Sequence, residues 1–125
     1  MDYLWVGVGG FLGANARYAL TMWLASRWGT AFPWPTLIIN VSGSLAIGFL
    51  LTLLTEKLVV DPAWRLLLVV GFLGGYTTFS SYTFEALALA AAGEWLPALG
   101  YMLGSNGVGL LFVYLGVVLA HAVWR

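Results

Sequence analysis

Arg17 and Glu85 are the ionisable side chains that fall well inside long apolar runs of this chain. A charge at such a depth is costly and normally faces a cavity, a partner or another subunit. Arg17 reads either as a fixed positive charge on a cavity or as a side chain snorkelling toward the Arg27 end. Glu85 takes a direct role or pairs with a nearby tyrosine or hydroxyl. Asn40, within NVSGS, carries an amide that can donate two hydrogen bonds. It serves as a donor to a ligand or as glue between helices, and Asn106, within GSNGVG, reads more simply as glue. Phe79 and Tyr82 are three residues apart and share a helix face, with Thr78, Ser80, Ser81 and Thr83 around them. Aromatic pairs ordinarily pack a core, yet their ring edges are electropositive and the flanking hydroxyls are donors. Tyr101 and Ser105, one turn apart, extend the donor set. Amide, hydroxyl and ring-edge donors beside a fixed positive charge, with no ring of carboxylates and no nucleophile–base pair, favour an anion over a cation.

The elements that must carry these groups are apolar. Of 125 residues, 62% are hydrophobic and 8% charged, which excludes an ordinary soluble domain. No charge occurs from Trp28 to Thr55, from Leu66 to Phe84 or from Trp95 to Trp124. Four helical spans are expected at roughly 4–26, 36–55, 64–92 and 96–124, each long enough for the ~20 residues a bilayer requires. They form a single four-helix transmembrane domain. Tryptophans near the expected ends, such as Trp5, Trp34, Trp64 and Trp95, fit an interfacial belt. Asp2 stands where a signal peptide would be basic, so no cleavable leader is expected. The absence of cysteine removes disulfide and thiolate chemistry, His121 alone builds no zinc site, and no basic cluster serves nucleic acid.

The third apolar stretch holds GGYTTFSSYTFE, Gly74 to Glu85. Glycines and hydroxyls there predict a break in the helix, and freed backbone groups inside a bilayer must find partners in protein, an ion or a wet cavity. Basic residues outside helix interiors (Arg27 against Lys57, Arg65 and Arg125) give only a weak bias, because Arg65 and Arg125 sit at helix ends, so either orientation is allowed, and with it an antiparallel dimer. Small-residue pairs at Gly9 and Gly13, Ser44 and Gly48, Gly71 and Gly75, and Gly100 and Gly104 allow close helix approach, within or between subunits.

Three stretches, GANARY from Gly13, WPTLIINVSGS from Trp34 and GFLGGYTTFSSYTFE from Gly71, resemble the Fluc (CrcB) family of fluoride channels, with Tyr101 and Ser105 a looser fourth match. The resemblance implies a dual-topology homodimer in the inner membrane with two antiparallel pores. Asn40 would then donate at the pore, and Phe79 and Tyr82 would present ring edges to fluoride. Ser81, Thr83, Tyr101 and Ser105 would line a hydroxyl path, with Arg17 raising the potential of a vestibule. Main-chain carbonyls of Gly74 and Thr77 from both subunits would hold a structural Na⁺. The expected activity is passive fluoride export that lowers cytoplasmic fluoride. Tyr82 departs from the family's usual Phe, and the polar stripe beyond Ser105 fades at Gly109 and Val113. A small multidrug exporter is the alternative, but it needs a carboxylate in the first span, where this chain has Arg17. A non-transporting assembly subunit would leave the hydroxyl–aromatic break without a purpose.

Overall fold

The computed structural model describes residues 1–124, whose regular elements are all helical, with no strand among them. Helix α1 covers Asp2–Trp28. Helix α2 covers Trp34–Thr52 and continues through a wide π-turn, Leu53–Lys57, closed by the Leu58 N–H on Leu53 O at 2.8 Å. Helix α3 starts with Ala63–Arg65, widens to π geometry over Leu66–Leu73 and ends with Gly74–Tyr76. Helix α4 is Phe79–Ala91 and α5 is Trp95–Val123. Pro35 opens α2, where a missing N–H costs nothing. Gly29, at φ 75°, stops α1 in a left-handed conformation that disfavours other residues.

By length and composition, Trp34–Lys57, Ala63–Ala91 and Trp95–Val123 can each cross a membrane. Helix α1 is 27 residues long, but glycines, Asn15 and Arg17 dilute its apolarity. It shields its small-residue face against α3. A Cβ at Gly9 or Gly13 would run into the Leu67 or Phe72 carbonyl, and one at Gly75 would lie 2.7 Å from Gly10 O. Backbone therefore touches backbone along this seam. Helices α2 and α5 make the second seam, with Gly48 against Val113 and Gly116 against Leu45. The glycine pair at Gly100 and Gly104 has open space around it instead.

Many large hydrophobic side chains face outward. The buried hydrophobics are few: three alanines and six larger side chains, among them Leu24, Ile39 and Tyr101. Phe11, Phe84, Leu103 and Leu110 are exposed on the outside. Such a surface suits a lipid solvent, and the interior is left to polar contacts and close backbone packing.

Candidate functional site

Between Tyr76 and Phe79 the chain leaves helical geometry. Thr77 has φ −84° and ψ 157°, and Thr78 has φ −149° and ψ 118°, both extended. In an unbroken helix the Thr78 N–H would bond to Gly74 O, and the Ser81 N–H to Thr77 O. Both are diverted to side chains. Thr78 N donates to Asn40 Oδ1 at 2.8 Å, and Ser81 N donates to Thr78 Oγ1 at 3.2 Å. Asn40 Nδ2 donates back to Thr78 O at 2.9 Å. The Asn40 amide thus pairs with Thr78 as a strand neighbour would, while Thr78 caps α4 as its N-terminal hydroxyl.

Arg17 also serves this region. Its Nε donates to Gly75 O at 3.1 Å, so its charge is tethered to the end of α3. Ser42 Oγ and Tyr76 OH share a 2.9 Å hydrogen bond, and Gly43 leaves room for the Thr77 methyl group. NVSG on α2 therefore touches the interruption through three features, the Asn40 amide, the Ser42 hydroxyl and the missing side chain at Gly43.

Two cavities meet at Thr78. One, of about 480 Å³, is lined by Asn40, Ser44, Gly74, Thr77 and Phe79 together with apolar side chains. The other, of about 270 Å³, is lined by Arg17, Thr21, Thr36, Ser81 and Glu85. Asn40, Gly74, Thr77 and Phe79 thus share one cavity, and Arg17 and Ser81 share the next.

Glu85 is the hub of the second cavity. Thr36 Oγ1 donates to one carboxylate oxygen at 2.8 Å, and Tyr101 OH donates to the other at 3.0 Å. Tyr101 is fully buried, with Phe32 at 5.5 Å and Tyr82 at 5.2 Å, both in edge-on arrangements. Sequence reasoning left Thr36 aside. Its only signal is a hydroxyl one turn before Asn40 on the same helix.

The remaining expected residues divide. Phe79 and Tyr82 have ring centroids 5.8 Å apart, but Phe79 is 76% exposed and Tyr82 only 8%. One ring therefore faces out of the subunit and the other packs within it. Tyr82 OH accepts from Asn106 Nδ2 at 3.3 Å, which makes Asn106 a link between α4 and α5. Ser105 Oγ is buried without a hydrogen-bond partner. Thr83 is exposed and donates to the Phe79 and Ser80 carbonyls of its own helix, on the side away from Ser81. Near Gly109, where the polar stripe of α5 fades, the Ser44 hydroxyl lies 3.7 Å from the position a Cβ would take.

Apolar helices facing outward, with polar cavities between them, define a multi-pass membrane protein. The chain belongs to the CrcB-like family: the family described as "CrcB-like protein, Camphor Resistance (CrcB)" matches residues 4–117. A protein of Roseiflexus sp. (strain RS-1) named "Fluoride-specific ion channel FluC" is 48% identical over 123 residues, covering 98% of this chain and 99% of that one. A protein of the same name from Chloroflexus aurantiacus is 49% identical over 120 residues, covering 96% and 95%. Another, from Acidobacterium capsulatum, is 45% identical over 123 residues and covers 98% of both.

Proposed function

We propose that this chain is a passive, fluoride-selective ion channel of the inner membrane, not an enzyme, and that it works as an antiparallel homodimer. The observation that carries the reading is the interruption at Thr77–Thr78, where the Asn40 amide and the Phe79 ring meet on one cavity. A small bare anion loses tens of kcal/mol of hydration on entering a low dielectric, so donors must replace its water. Asn40 spends one N–H on Thr78 and keeps the other, and the Phe79 ring offers an electropositive edge. The Glu85 carboxylate has a donor on each oxygen, which offsets its charge next to the path.

Inside α1 the ionisable residue is Arg17 and not a carboxylate that could couple transport to protons, Asp2 lying at the helix start, so flux follows the electrochemical gradient. HF that enters from an acidic medium dissociates inside, and the channel lets F⁻ leave down the membrane potential. Phe79 faces out of its own subunit, which supports a pore completed by a second copy. Ser81, Tyr101 and Ser105 continue the hydroxyl path, and Thr83, on the opposite face of α4, would join it only across the contact with the second copy. The Gly74 and Thr77 carbonyls, released from the helical ladder, are hard oxygen donors that suit Na⁺. Two such oxygens per chain leave the ion half surrounded, and the second copy supplies the others. A bound Na⁺ would contribute a fixed positive charge at the dimer centre.

The test is efflux from liposomes containing the purified protein, followed with fluoride and chloride electrodes. Fast electrogenic fluoride loss without chloride loss is expected, with a large reduction for Phe79→Ile. Absence of fluoride flux from folded protein overturns the reading. For Tyr82→Phe, flux within about threefold of the parent is expected, because the phenol contributes one long hydrogen bond of modest net worth. A collapse of flux in that variant would assign the hydroxyl a place in the path.

A further inference from the structure

The Asn40 amide has a second task, apart from any contact with a passing anion. We infer that Asn40 and the Thr78 hydroxyl are the positioning residues that build the cation site, because they withhold from the Gly74 and Thr77 carbonyls the donors a helix would give them. The inference rests on the sodium reading above and specifies what makes that site.

A backbone carbonyl inside a helix is poorly available to a cation, since its lone pair already faces the N–H four residues on. Here the donor due to Gly74 O is held by Asn40 Oδ1, and the donor due to Thr77 O is held by Thr78 Oγ1. The return bond from Asn40 Nδ2 to Thr78 O fixes the amide's direction, so Oδ1 stays on the Thr78 N–H. Extended dihedrals at Thr77 and Thr78 then keep the two N–H groups from swinging back. The neighbouring Gly75 carbonyl is treated differently, because Arg17 Nε occupies it. Side chains from α1, α2 and the break itself thus sort the carbonyls into covered and available ones. Gly74 is exposed at the subunit surface, where a second copy can reach the same ion.

Without Asn40, the lowest-energy course for the Thr78 N–H in a bilayer is to return to Gly74 O and extend α3 by a residue. Without the Thr78 hydroxyl, Ser81 N is free to turn to Thr77 O. Either change removes an oxygen from the cation. Neither alters a residue that touches the ion through its own side chain.

The experiment measures thermal unfolding of the purified full-length protein in detergent. Na⁺ is titrated against N-methyl-D-glucamine at constant ionic strength. The parent protein is expected to be stabilised by Na⁺. Asn40→Ala and Thr78→Val should need about tenfold more Na⁺ for half the effect, the scale of one net hydrogen bond. Thr78→Ser, which keeps the hydroxyl, should titrate like the parent. If Asn40→Ala does not fold, the Thr78→Val and Thr78→Ser pair decides. Parent-like half-saturation in Asn40→Ala or Thr78→Val overturns the inference and leaves the sodium site standing. A parent protein indifferent to Na⁺ overturns the sodium reading itself. Because the readout is stability, a loss of flux from damaged anion contacts does not imitate the result.

Discussion

Fluoride efflux at least a hundredfold slower is the expected result for Asn40→Asp, measured in liposomes with a fluoride electrode. Two effects act together. The Asn40 Nδ2 that now donates to Thr78 O at 2.9 Å becomes an oxygen facing an oxygen, so the pairing that holds the break loses one of its two bonds. The new carboxylate also places a negative charge on the cavity shared with Phe79. An anion passing at about 4 Å meets a repulsion of about 4 kcal/mol at an effective dielectric of about 20. That corresponds to roughly three orders of magnitude in rate, and relaxation of the side chain recovers part of it. Acidic solution should restore some flux, since a protonated carboxyl loses its charge and regains a donor. Flux within tenfold of the parent at neutral pH would remove Asn40 from the pathway.

Gly13→Val should prevent the folded subunit from accumulating, as read from the monodisperse fraction in gel filtration and the near-ultraviolet dichroism. The added Cβ would meet the Phe72 carbonyl, with Tyr76 N only 2.9 Å away. These are backbone atoms with no rotamer to yield, so α1 has to separate from α3. Overpacking of side chains typically costs about 1–3 kcal/mol, and a backbone clash belongs above that range. The effect reaches the site as well, since Arg17 sits one turn further along α1 and binds Gly75 O. Gly100→Ala is the control: nothing lies within 4 Å of its Cβ position, and the subunit should fold normally. A well-folded Gly13→Val protein would mean that this seam can open.

The contrast between those glycines explains what can be read from sequence. Apolar runs and tryptophans announce helices because lipid imposes a period and a length on the chain by itself. The GGYTTFSSYTFE segment stands out for the same reason: its composition disagrees with its depth. Pairings are another matter. Gly9 with Gly13 and Gly100 with Gly104 have the same spacing, yet only the first pair meets a helix within this chain. Spacing records a face and leaves its partner unnamed.

Asn40 and Thr78 are 38 residues apart and belong to different helices, so their two-point pairing has no local signature. The hub at Glu85 needs Thr36 and Tyr101 from two further helices. The opposite directions of Ser81 and Thr83, by contrast, follow from helical period alone. Two residues along a helix turn the side chain by about 200°, so adjacent hydroxyls in a sequence motif do not share a face.

The interruption is held in register by both neighbouring helices at once, Arg17 on Gly75 and Asn40 on Thr78. Chain length between Gly71 and Thr78 is therefore as constrained as residue type. A single inserted residue there would rotate everything beyond it by about 100° and advance it by about 1.5 Å. Placed before Gly75, it would put both fastenings on the wrong backbone groups, and placed after Gly75 it would still displace the Thr78 pairing, while the apolarity of the stretch hardly changed. Insertions and deletions should be tolerated in the turns at 29–33 and 58–62 and excluded from this short span. A survey of length variants would thus locate the break without reference to which amino acids occupy it.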